Sequence, residues 1–162
     1  GDYKDKRFDE NFRQAREAGL VRGAYHFYNP NSDPIRQADF FISQVKLEKG
    51  DLAPVLDIER KPRGKAQLQA DLVKFLNRLE QHYGVKPIIY TSYKYMTRYL
   101  DTPEFAQYPL WIAHYYVDTL SYEGAWQFWQ HTDYGTVPGI DESVDLNVFN
   151  GSLDGLQRYT LK

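Results

Sequence analysis

No cysteine occurs anywhere in the sequence. Disulfides and thiolate metal sites are therefore excluded, and the chain suits a reducing or an oxidising compartment equally. No apolar run is long enough to span a bilayer, and no signal-peptide pattern opens the chain. Neither sign of charge dominates. The 20 basic and 22 acidic residues leave a formal net charge of −2, so nothing in the balance points to nucleic acid as a partner. Linkers, low-complexity segments and internal repeats are missing as well. The length fits one domain with a substantial core. What the chain has in quantity is aromatic side chains, led by 14 tyrosines. Tyr and Trp join a flat apolar face to a polar handle, which suits stacking on sugar rings as well as core filling.

One stretch stands out: Leu52-Ala53-Pro54-Val55-Leu56-Asp57-Ile58-Glu59. It reads as a short buried strand that ends in two carboxylates. Alternation puts Val55, Asp57 and Glu59 on one face and Leu56 and Ile58 on the other. Same-face neighbours at i and i+2 sit roughly 6.5–7 Å apart at Cα. That spacing suits two carboxyl groups acting on one bond, one as acid and one as charge stabiliser or base. A bare D-x-E is more often a solvated strand end, so the rest of the chain has to decide.

Helical periodicity and stop signals predict helices over 9–19, 35–45 and 66–83, with Gly19 and Gly84 closing the first and third. A shorter helix is expected over 93–100. Strands are expected over 20–28, 52–59, 85–92, 110–115, 126–133 and 144–149. The tail after Gly151 is expected to wrap back on the fold. Strands alternating with helices imply a parallel sheet with crossover connections, whereas the last strands have too little chain between them for full helices. Aromatic, amide and acidic side chains recur along these strands. Tyr25 and Phe27, Tyr90, Trp111, Gln130 and Asp145 all stand on strands or at strand ends. In a parallel barrel such groups gather at one mouth.

The ordered motifs Gly23-Ala24-Tyr25-His26-Phe27, Val55-Leu56-Asp57-Ile58-Glu59, Lys86-Pro87-Ile88-Ile89-Tyr90, Leu110-Trp111-Ile112-Ala113, Phe128-Trp129-Gln130 and Val137-Pro138-Gly139-Ile140 with Val144-Asp145-Leu146-Asn147 cover nearly the whole chain. In this order they resemble the Chalaropsis-type (family 25) lysozymes. The resemblance implies an α/β fold, an irregular TIM-like (β/α) barrel with fewer than eight helices. It implies hydrolysis of the β-1,4 bond between N-acetylmuramic acid and N-acetylglucosamine in peptidoglycan. By the same resemblance Glu59 is the general acid, Asp57 orients the acetamido group or stabilises developing positive charge, and Asp145 is a third acid. Tyr25 and Tyr90 match aromatic groove positions. Trp111 and Gln130 join them as candidate substrate contacts, although Trp111, Trp126 and Trp129 as a group read first as core. Neither a cofactor nor a metal is expected. His26, His82, His114 and His131 fall on different elements at no ligand-like spacing, and His26 reads as a hydrogen-bonded wall residue.

The family opens on a strand carrying D-x-S, followed by a second strand, and neither occurs here. Gly1-Asp2-Tyr3 resembles the loop after that second strand. The expectation is one catalytic domain over 1–162, covering about strands 3 to 8 and N-terminally incomplete, monomeric once the missing strands are present, and working outside the cell or at the wall. Burial and the charges of Asp57 and Asp145 are expected to raise the pKa of Glu59. The basic run Arg60, Lys61, Arg63 and Lys65 reads as a solvated loop. Two rivals compete: a catalytically impaired wall-binding protein of the same fold, and a chitinase-type glycosidase. The latter expects an aspartate where Val55 stands.

Overall fold

A computed structural model describes residues 3–162. The likeness at Gly1-Asp2-Tyr3 rests in part on Gly1 and Asp2, which lie outside the described residues. Helix α1 (Phe8–Glu17) is followed by β1 (Tyr25–Phe27), α2 (Pro34–Gln44), β2 (Val55–Asp57), α3 (Lys65–Tyr83) and β3 (Ile88–Ser92). A turn of α-helix, α4 (Tyr93–Tyr95), widens into a π-helical stretch over Met96–Leu100, and α5 (Pro103–Ala106) leads into β4 (Leu110–Ala113). Then come β5 (Phe128–Gly135), β6 (Val144–Phe149) and the short α6 (Leu153–Leu156). The six strands form one sheet in the order β1-β2-β3-β4-β5-β6. Neighbours are parallel from β1 to β5, and β6 is antiparallel to β5. The crossover from β4 to β5 contains no helix. This is a mixed α/β sheet with its edges at β1 and β6.

Local sequence explains the helices. Asp33 caps α2 by accepting from the Arg36 N–H, with Pro34 at the first turn. In α3, Leu68, Leu72, Phe75, Leu76 and Leu79 are buried at helical spacing, each worth about 2 kcal/mol of apolar burial. The helix ends at Gly84, whose φ of 69° is left-handed. These side chains pack with Ala38 and Phe41 of α2 on one face of the sheet, against Leu56, Ile58, Ile89, Leu110 and Ile112. The opposite face carries a smaller cluster of Ala53, Val55, Ile88 and Phe128, flanked by Tyr90, Trp111, Phe149 and Tyr159. The alternation read at residues 55–58 is thus the division between the two faces.

The expected strand over 20–28 shortens to Tyr25–Phe27. Its pairing with β2 stops at Val55 because the Ala53 N–H on that side is given to the Tyr159 carbonyl. The tail does wrap back. Thr160 bridges to Leu52, and the Leu161 N–H donates to the Asp51 carbonyl. Gly23 must be small, since a Cβ there would lie 2.9 Å from the Leu52 Cβ. Arg22 anchors α1: its Nε and Nη2 donate to the two Asp51 carboxylate oxygens at 2.8 and 3.1 Å, and Nη1 donates to the Phe12 carbonyl. Its guanidinium lies 3.8 Å over the Phe12 ring.

Candidate active site

Parallel register builds one row of side chains across the sheet: Asp57 stands beside Tyr90, Tyr90 beside Trp111, and Trp111 beside Phe128. Below the row lies the apolar floor of Val55 and Ile88, which Phe128 completes at the row's end. Above it opens a cleft of about 500 Å³, whose wall includes Tyr25, Val55, Asp57, Glu59, Tyr90, Trp111, Gln130, Asp145 and Asn147. All seven candidate residues line this one cleft: Glu59, Asp57, Asp145, Tyr25, Tyr90, Trp111 and Gln130. Each of the six strands, or the residues directly after it, supplies at least one of them.

Two acids only two residues apart meet different surroundings. Asp57 is partly buried against the floor, and its Oδ1 is enclosed with no hydrogen-bond partner among the described residues. Burial first, and the charge of Glu59 second, push its pKa from 3.8 up to about 7. Glu59 is exposed. The burial expected around Glu59 therefore lies around Asp57, because the chain leaves the sheet after Asp57. The backbone around Glu59 is nevertheless held from both sides. The Ile58 N–H donates to the Tyr90 carbonyl at 3.0 Å, the Thr91 hydroxyl donates to the Ile58 carbonyl at 2.5 Å, and the Tyr95 hydroxyl donates to the Arg60 carbonyl at 3.0 Å. Asp145 on β6 is exposed at the far wall.

The buried Gln130 organises the neighbouring hydroxyls. Its Oε1 accepts from Tyr90 Oη at 2.6 Å and also from Tyr115 Oη. Burial raises the pKa of both tyrosines, so both stay protonated donors. Trp111 Nε1 donates to Asn147 Oδ1 at 2.8 Å, joining β4 to β6 across the cleft. Tyr25 is 68% exposed and Phe27 40% exposed, so neither fills a core. Trp126 and Trp129 pack against the main core, whereas Trp111 packs on the floor and faces the cleft. Sequence reasoning passed over Tyr115. Yet the alternation that puts Trp111 and Ala113 on one face of β4 carries on to Tyr115.

His26 lies behind the sheet, with Nε2 3.1 Å from the Gln37 Oε1 and its ring 5.4 Å from that of Phe75. Among the described residues no group of three or more His, Asp or Glu side chains is arranged to hold a metal ion. No helix among them is long and apolar enough to cross a membrane. A larger hollow of about 660 Å³ runs beside β1, lined by Phe8, Phe12, Phe40, Phe41 and Val45 among others. It holds none of Asp57, Glu59 and Asp145.

Residues 1–140 match the model of the family described as glycosyl hydrolases family 25. The uncharacterized protein YegX of Escherichia coli K12 is 40% identical over 157 residues, covering 96% of this chain and 57% of that protein. Lysozyme M1 of Streptomyces globisporus is 34% identical over 166 residues, covering 93% of this chain and 56% of that protein. The crystal structure of the bacterial lysozyme from Streptomyces coelicolor superposes with a TM-score of 0.87 at 34% identity, over 98% of this chain and 80% of that one. The chain spans a little over half the length of these two curated relatives.

Proposed function

This chain belongs to glycosyl hydrolases family 25, and we propose that it is a lysozyme, a 1,4-β-N-acetylmuramidase that cleaves the glycan strands of peptidoglycan. The observation that carries this is the convergence of Asp57, Glu59 and Asp145 in one cleft walled by Tyr25, Tyr90, Trp111 and Gln130. Lysozyme M1 and the Streptomyces coelicolor lysozyme, both at 34% identity, support the substrate class. Peptidoglycan lies outside the bacterial membrane, so the proposed place of action is extracellular or at the wall.

In this reading Glu59, in its protonated form, gives its proton to the glycosidic oxygen as the bond from that oxygen to the sugar C1 breaks. The positive charge spreading over C1 and the ring oxygen is met by the acids of the opposite walls. Water then adds at C1, and its proton returns to Glu59. Asp57 faces the substrate's acetamido group, the aromatic side chains hold the sugar faces, and Gln130 fixes the Tyr90 hydroxyl. A second reading exchanges the two acids. The carboxyl pushed up to about 7 is Asp57, which makes it a proton carrier near neutral pH.

The proposed architecture is an irregular TIM-like (β/α) barrel, of which the six strands are about the third to the eighth, in a single catalytic domain. Two features support it. Residues of both edge strands, Tyr25 on β1 and Asp145 and Asn147 on β6, line the same cleft, so the sheet is curled. The hollow beside β1, an end strand of the sheet among the described residues, has an apolar lining. Flanking segments that add two strands there would leave a closed monomer.

The test is release of reducing ends from purified peptidoglycan, with the products identified, by this chain alone and with natural upstream residues joined to it, each beside its Glu59→Gln variant. Glycan cleavage by either form, abolished by Glu59→Gln, upholds the reading. Cleavage that survives Glu59→Gln but not Asp57→Asn transfers the acid role to Asp57. A folded protein that binds the wall and cleaves nothing in either form replaces the enzyme with a wall-binding module.

A further inference from the structure

The wall that holds Gln130 continues outward into a second arrangement of tyrosines that the chemistry above leaves unused. Tyr115 and Tyr116 are adjacent, their rings edge to face with centroids 6.2 Å apart. Tyr115 turns inward to Gln130, while Tyr116 is 78% exposed. Tyr116 has a φ of 60°, the only positive value at a non-glycine among the described residues. A residue with a Cβ adopts that left-handed conformation only when its surroundings hold it there. The hold is visible: the Tyr116 hydroxyl donates to Asp133 Oδ1 at 2.8 Å. Asp133 in turn lies in an irregular part of β5, where the register with β6 shifts between Thr132 and Gly135. The same irregularity presents Tyr134, 77% exposed, beside it. Such bulges re-aim side chains next to active sites.

An exposed ring fixed both by its backbone and at its hydroxyl loses little freedom when a ligand covers it. Packing accounts for little of this, since the ring meets the edge of Tyr115 and is otherwise open to solvent. We infer that Tyr116, tethered by Asp133 and flanked by Tyr134, is an outer sugar platform on which a pyranose ring of a longer glycan stacks after the strand leaves the cleft between β4 and β5. The inference rests on the carbohydrate reading of the cleft and extends it beyond the sugars at the cleaved bond. The ligand class is a neutral or N-acetylated hexose within an extended β-linked strand.

The experiment is calorimetric titration with peptide-free peptidoglycan glycans of four and eight sugars. The protein is the full chain carrying Glu59→Gln to prevent turnover. Tyr116→Gly accepts the left-handed backbone and removes the ring, and Tyr116→Phe keeps the ring and removes the tether. Stacking of this kind is worth roughly a five- to tenfold change in affinity. The eight-sugar glycan is expected to bind five- to tenfold more weakly to the Tyr116→Gly protein, with the four-sugar glycan unchanged and Tyr116→Phe falling between Tyr116→Gly and the parent. Equal eight-sugar affinity with and without the ring overturns the platform. Equal weakening at both lengths overturns its outer position. Failure of the parent to bind either glycan removes the carbohydrate reading, and the platform falls with it.

Discussion

Asp57 and Glu59 border the same cleft but not the same solvent: the first is tucked against an apolar floor and the second is open to water. Two chemically similar groups are thereby made unequal by position alone. The charge of Glu59 adds to the burial that raises Asp57. Altering Glu59 is therefore expected to change the protonation of Asp57.

Substituting Glu59 by Gln keeps shape and removes the proton. If Glu59 is the general acid, turnover of peptidoglycan falls by about 100-fold or more. Glu59 is exposed, so thermal unfolding of the same protein is expected to shift by no more than about 0.5 kcal/mol in stability. Reducing-end release and a melting curve on one preparation separate loss of chemistry from loss of fold.

A raised carboxyl carries a definite sign in stability. Asp57 binds its proton in the folded state up to about pH 7, whereas the unfolded chain releases it near 3.8. Between those values the unfolded state holds fewer protons, so this group's contribution to stability is fully present below pH 3.8. It declines as pH rises and is flat above about 7. Allowing for its partial exposure, the decline is on the order of 1–3 kcal/mol. Urea unfolding of the wild type and of Asp57→Asn at pH 4, 5.5, 7 and 8 measures it. The difference in free energy moves in favour of the variant up to about pH 7 and then stays constant. A difference independent of pH would sink the assignment.

Gln130 serves two hydroxyls with one oxygen. Gln130→Leu leaves Tyr90 and Tyr115 without that acceptor in a partly buried setting, at a cost of about 2 kcal/mol. Gln130→Glu keeps an acceptor for both and is expected to lose less. Denaturant midpoints rank the two variants, and the reverse order would contradict the hydrogen-bond account.

Arg22 and Asp51 form a buried pair, each with 8% of its side chain exposed. Arg22→Met leaves the Asp51 carboxylate with the Glu48 N–H but without its cation and frees α1 from its anchor, and is expected to cost about 3–5 kcal/mol. Asp51→Asn in the same protein removes the stranded charge and is expected to return part of that loss. Unfolding by urea, read by tryptophan fluorescence, gives both values.

Much of this was legible in the residues, and the reasons are local. Alternation at Val55-Leu56-Asp57-Ile58 is a period-two signal, and it sorts the apolar floor and Asp57 from the helix-packed face without further information. The leucines of α3 and the stop at Gly84 are equally direct. Strand lengths were not legible. The shortness of β1 depends on a hydrogen bond from Ala53 to Tyr159, more than a hundred residues away in sequence. The difference in burial between Asp57 and Glu59 depends on where the chain leaves the sheet. The strained backbone at Tyr116 depends on a carboxylate in another strand. Each of these is fixed by contacts distant along the chain, which periodicity does not register.

The strand order of the sheet is also the order of synthesis. As the chain leaves the ribosome, each new strand from β2 onward meets a neighbour already made, and no strand has to wait for a partner translated much later. Contacts between successive elements close quickly and leave little apolar surface waiting. One connection breaks the pattern. Residues near Thr160 must return to Leu52, so the floor beneath the acids is sealed only after all six strands have been made. The cleft is therefore expected to become rigid later than the strands that build it.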